Sequence, residues 1–95
     1  MTAWIILVRF SLKSDSGANE FLVRAEDITL QIRKECPKLV WVSCYATLGE
    51  FDMVLVVQSE DASQVQKAAM IFRAQGHETT QVMHAVPWNE FVKKL

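Results

Sequence analysis

Ninety-five residues suit a single domain spanning 1–95, of a size that buries only about 60–65% of the surface its unfolded chain exposes. A net charge of −1 and a pI near 6.1 leave no broad basic surface for nucleic-acid phosphates. No apolar run reaches the roughly 18 residues that would span a bilayer, and the N-terminus lacks a basic leader, so a cytoplasmic protein is expected.

Half of the chain is apolar (51%), with three Trp, a rich supply for one small core. Some of that surface is therefore expected in an interface. Cys36 and Cys44 form no CxxC pair and read as small hydrophobes in a reducing compartment.

Residues 3–10 (AWIILVRF) are a continuous run of aromatic and β-branched side chains, too short for a typical helix, and read as a strand apolar on both faces. A polar loop with Gly17 follows. Phe21, Ala25, Ile28, Ile32 and Cys36 then recur at helical spacing up to Pro37, which predicts an amphipathic helix. Residues 39–47 alternate with period two, turn at Leu48-Gly49-Glu50-Phe51, and lead into the apolar strand 52–58, a hairpin.

Asp61 with Gln64 three residues on has capping-box character. Val65, Ala68, Ala69 and Phe72 make the apolar stripe of a second helix, closed by Gly76. Residues 78–86 read as a fourth strand. Pro87 then opens a short helical end, because Pro suits a first turn and Lys93 and Lys94 suit a last one.

The order βαββαβ plus a terminal helix is that of an α+β domain. Right-handed crossovers give it an antiparallel sheet of order 4-1-3-2 with both helices on one face. Pairing Thr47 with Asp52 places Trp41, Ser43, Tyr45 and Thr47 on one face with Asp52, Val54 and Val56, joined by Ile5, Leu7 and Arg9. The other face takes Trp4, Ile6, Val8, Phe10, Val40, Val42, Met53, Leu55 and Val57, and is assigned to the helices as the more uniformly apolar. The face left open is still apolar, a patch unusual for a monomer. A homodimer, or a higher homo-oligomer, closed sheet to sheet is expected.

The segment Thr47-Leu48-Gly49-Glu50-Phe51-Asp52 resembles the motif of the GYD-domain family, short bacterial proteins named for a Gly, Tyr, Asp motif in this hairpin. The likeness extends from the opening strand ending in Arg9-Phe10, through the closing strand to Ala85, to the acidic-aromatic end at Glu90-Phe91. Phe51 stands where the family name has Tyr, which removes a phenolic hydroxyl from that position. The resemblance implies a ferredoxin-like fold related to dimeric α+β barrels, and no established activity.

Within the hairpin motif (Gly49, Glu50, Phe51, Asp52), Gly49 can take a positive φ and Phe51 can anchor the turn by burial. Asp52 either caps the turn or pairs with Arg9. A polar pocket is expected at this end of the sheet, built from Arg9, Tyr45, Thr47, Asp52 and His84, with Thr80 as a further candidate. His84 belongs near the start of the first strand. His77 falls on the opposite face from it, so the two make no metal site, and no cofactor is expected. Trp4, Trp41 and Trp88 read as core or interface, Trp88 as a pin between the C-terminal segment and a neighbour.

Other chemistries hosted by this strand order lack their residues. The third strand, DMVLVVQ, carries none of the basic and aromatic side chains that stack RNA, the first loop has no CxxC, and no nucleophile and base stand at a recognisable spacing. The expected function is a non-catalytic small-molecule-binding or assembly module acting as a homodimer. The alternative is a cofactor-free enzyme, monooxygenase- or isomerase-like, with Arg9, Tyr45, Asp52 and His84 as its polar groups in an apolar cavity.

Overall fold

The computed structural model describes residues 2–10, 18–75 and 79–95. Gly17, Gly76 and His77, and the side chains of Phe21 and Thr80, lie outside the described set. The elements run β1 (Ala3–Arg9), α1 (Ala18–Glu35), β2 (Val40–Ala46), β3 (Met53–Gln58), α2 (Ala62–Ala74), β4 (Thr79–Ala85) and α3 (Trp88–Lys93). They make one antiparallel sheet of order β2-β3-β1-β4, the expected 4-1-3-2 read from the other edge.

Alternation along β1 decides which side is core. Ile6 and Val8 are fully buried, as are their counterparts Leu55 and Val57 on β3, and these four meet Ile28, Ile32 and Cys36 of α1 and Val65, Ala68, Ile71 and Phe72 of α2. Burying each such aliphatic side chain contributes roughly 1.5–3 kcal/mol. Trp4, Phe10, Met53 and Val82 pack around the margin of this cluster. Ile5, Leu7, Val54 and Val56 point to the other face, and the two core helices lie on the Ile6 side.

Strand β2 departs from the expected alternation. Trp41 pairs with Val57 and Ser43 with Val56, so Val42 is an extra residue in a bulge. The extra residue flips everything before it by one position. Trp41 therefore joins the core side, where its ring lies against the cluster and Arg33 stacks over it at 4.4 Å. Val40 and Val42, expected beneath the helices, are exposed instead. Beyond the bulge the pairing is as expected: Tyr45 faces Val54, and the Thr47 N–H donates to the Asp52 carbonyl at 2.9 Å.

The start of α2 is built differently from a capping box. Asp61 is the N-cap, accepting from the Ser63 N–H, but its own N–H donates to Ser59 Oγ at 3.1 Å rather than to Gln64. Buried Ser59 ties three elements together: its N–H donates to the Thr2 carbonyl, its carbonyl accepts from Trp4 Nε1 at 3.2 Å, and its hydroxyl donates to the Asp61 carbonyl. That satisfies the end of β3 where it turns into α2.

Candidate functional site

The hairpin end of the sheet is where polar groups converge. Register puts Val8 opposite Met53 and Arg9 opposite Thr79, so the 47–52 turn sits against the last residues of β1. Gly49 makes the reversal with φ +147°, a conformation that L side chains rarely adopt. Thr47 closes the loop from one side, its hydroxyl donating to the Phe51 carbonyl at 2.7 Å.

Asp52 then staples the turn to β1. Its N–H donates to the Val8 carbonyl at 2.9 Å, and its carboxylate accepts from the Phe10 N–H at 2.8 Å. In effect Asp52 continues the ladder of β1 for one more rung, with a charge-assisted bond in place of a carbonyl. Of the two roles the sequence left open to Asp52, capping is the one it fills.

Arg9 has a different partner. Its Nε donates to the Glu50 carbonyl at 2.8 Å, its guanidinium pairs with the Glu50 carboxylate at 2.9 Å, and it stands 5.6 Å above the Phe51 ring. The turn places Glu50 outward, at the tip, where the long Arg side chain reaches it from the open face. The GEFD motif is thus read by β1 through three groups: Arg9 grips Glu50 and Phe51, and the backbone of Val8 and Phe10 grips Asp52.

A cleft of about 330 Å³ opens beside this clasp, lined by Phe10, Ala25, Cys44, Tyr45, Ala46, Thr47, Asp52 and Met53. Phe10, Cys44, Ala46 and Met53 share the helix-facing side of the sheet and Ala25 comes from α1. The cleft therefore lies between helix and sheet at the β2 edge, not on the open face where a pocket was expected. Its walls are apolar, and burial pushes the Cys44 thiol above its ordinary value. The volume lies at the lower end of small-ligand sites.

The structure brings Tyr45, Thr47 and Asp52 together around the cleft. Arg9 lies at the turn beside it. His84 lies elsewhere: it pairs with Trp4 near the far end of β1, five residues from Arg9 or roughly 17 Å along the strand, with its ring 4.9 Å from that of Trp4. Cys44, Ala46 and Met53 escaped the sequence reading because apolar strand positions look alike whether they fill a core or line a gap. The signal that could have found them was the small pair Ala25 and Ala46, which leaves space where the helix crosses the strand. Among the described residues no three His, Cys, Asp or Glu side chains gather to hold a metal, and no helix is long and apolar enough to cross a membrane.

Known proteins resemble this chain at the level of family, sequence and fold. The family model described as GYD domain matches residues 4–95. A Thermus thermophilus protein named glutamine synthetase and cystathionine beta-lyase binding protein is 31% identical over 98 residues, an alignment covering 100% of this chain and 99% of that one. Among solved structures, one from Thermus thermophilus superposes with a TM-score of 0.60 at 22% identity, covering 90% of this chain and 94% of that one. A NIPSNAP domain protein from Burkholderia xenovorans gives 0.57 at 19%, covering 92% and 94%. At those identities the two structures share the fold.

Proposed function

The chain belongs to the GYD domain family, and from that premise we propose that it is a homodimeric binding module that holds other proteins, enzymes among them. The observation that carries the dimer is the open face. Ile5, Leu7, Val54 and Val56 form a continuous apolar strip on the side of the sheet away from α1 and α2, extended by Met83 opposite Ile5 and by Tyr45 opposite Val54. A small soluble monomer rarely leaves such a face to water, and a second copy presents an identical, self-complementary strip.

The partner class rests on the relative whose name records binding to glutamine synthetase and cystathionine beta-lyase. A likeness of 31% over 100% of this chain and 99% of that one supports the same kind of work, the binding of other proteins. The clasp at the hairpin supports it too. Arg9, Glu50 and Asp52 are engaged in holding the turn, which leaves them as architecture rather than as an acid and base.

The cleft favours a second reading beside the first. Its largely apolar walls, from Phe10, Ala25, Ala46 and Met53 among others, suit a small apolar ligand.

The test is direct titration of the purified chain against glutamine synthetase and cystathionine beta-lyase from its own source organism by calorimetry. Micromolar or tighter binding to either enzyme is the expected result. Absence of heat at about 100 μM, a concentration at which even weak transient complexes register, rejects the protein-binding reading.

A further inference from the structure

The sheet has two edges, and they are finished differently. Along β2 the bulge between Trp41 and Ser43 breaks the row of outward main-chain groups, a device that keeps other strands from adding to an edge. β4 carries no such guard. Its residues, TTQVMHA, include no Pro, Lys, Arg, Asp or Glu to turn a further strand away. They pair with β1 from Ala3 to Arg9 without a register shift.

Hydrogen bonds at the two ends of β1 show which groups of β4 face out. The Ser59 N–H donates to the Thr2 carbonyl, and the Asp52 N–H to the Val8 carbonyl. Main-chain groups alternate in direction along a strand, so Trp4, Ile6 and Val8 bond to β3, and Ala3, Ile5, Leu7 and Arg9 bond to β4. Their partners there are Ala85, Met83, Gln81 and Thr79. The N–H and carbonyl groups of Thr80, Val82 and His84 are therefore turned away from the sheet, where no other strand neighbours them among the described residues. Beside this row a groove of about 340 Å³ runs between α2 and β4, lined by Gln66, Ala69, Met70, Arg73 and Val82. Met70 is 66% exposed.

A second copy fits this edge by symmetry. A two-fold axis through Val82, perpendicular to the sheet, sets Val82 against the partner's Val82 and Thr80 against the partner's His84. Every outward group then has a mate, and sliding the register either way leaves some without one. No like charges meet along the two strands. The same axis brings the two grooves together, so that Met70 of each copy closes the groove of the other and leaves water. Both open faces stay on one side of the joined sheet, and neither is covered.

We infer that β4 pairs edge to edge with β4 of a second copy, making one continuous sheet across two chains. This seam is separate from the face closure proposed above, and the two together build a larger assembly. A seam of one strand and one helix edge belongs to the size class of weak contacts, so it forms at higher concentration than the face dimer.

The test uses the Val56→Glu chain, in which the sheet face is blocked, at about 1 mM. Sedimentation equilibrium should show reversible pairing of two chains. Amides of Thr80, Val82 and His84 should exchange more slowly there than at about 20 μM, where the chains separate. Val82→Pro removes an N–H that β1 does not use, so the chain folds while pairing weakens at least about ten-fold. Met70→Lys, a change at an exposed position that sets two lysines across the axis, weakens it as well. A Val56→Glu chain that stays monomeric at about 1 mM, or whose pairing neither substitution weakens, overturns the seam and leaves the face dimer standing. Protection of those amides only when glutamine synthetase or cystathionine beta-lyase is added gives the edge to a strand of another protein and overturns self-pairing. A wild-type chain that pairs through β4 alone keeps the seam and overturns the face reading.

Discussion

Arg9 and Glu50 are joined twice, through the Glu50 carbonyl at 2.8 Å and through its carboxylate at 2.9 Å, while Asp52 holds the backbone of the same strand. The two attachments differ in weight. The Arg9 pair is open to water, where such bridges contribute about 0–1 kcal/mol. The Asp52 bond is shielded and closes the strand end, so about 1–2 kcal/mol is expected of it. In urea unfolding, Asp52→Ala should therefore cost clearly more than Arg9→Ala, and Asp52→Asn, which keeps an acceptor oxygen, should lie between wild type and Asp52→Ala.

Gly49 isolates backbone conformation from packing. A Cβ added there meets nothing within 4 Å, so the only penalty of Gly49→Ala is its φ of +147°. Strain of this kind costs about 1–3 kcal/mol. The expected result is a lower urea midpoint with an unchanged m-value, since neither end state changes its exposed area.

The two thiols should separate cleanly. Cys36 is buried and Cys44 is exposed; desolvation raises both thiols above their ordinary value, and at Cys36 the nearby Lys67 offsets this only in part while Glu35 adds to it. Titration with a chromogenic disulfide at mildly alkaline pH should label Cys44 alone in the folded chain, more slowly than a free model thiol because less of it is thiolate. Cys36 should react only after denaturant is added.

Asp61 gives the fold an acid dependence whose sign follows from its hydrogen bonds. The Ser63 hydroxyl and N–H hold its carboxyl below the ordinary value, so the folded state binds this proton less readily than the unfolded one. The resulting stability is fully present above the ordinary carboxylate range and drains away as pH falls through it toward the lowered value. Thermal unfolding followed from about pH 6 down to about pH 2 should show a smaller acid loss for Asp61→Asn than for wild type.

Element order and most of the core were legible in the residues because both rest on periodicity: Ile28, Ile32 and Cys36 recur at helical spacing and are buried together; the sheet order followed from the hand of the crossovers. The bulge was not. Trp41, Val42 and Ser43 alternate in the manner of a regular strand, and only the packing of the large Trp41 ring against Arg33 and the core shows why the register slips there. The candidate site was half legible. Tyr45, Thr47 and Asp52 follow from the turn, but which acid takes Arg9 depends on where Gly49 throws the tip. His84 could be placed by strand pairing, yet its distance from the turn emerges only once the register is counted from end to end.

Closure of the open sheet face on a second copy is tested most directly by sedimentation equilibrium of wild type beside Val56→Glu. Val56 sits in the middle of the apolar strip, pairing with Ile5 on one side and Ser43 on the other, so a carboxylate there costs little in an isolated chain and much in a closed interface. A dimer of about twice the 10.8 kDa chain mass is expected for wild type, and a folded monomer for Val56→Glu. A wild-type chain that sediments at its single-chain mass at tens of micromolar, or a Val56→Glu chain that dimerises as tightly as wild type, contradicts it.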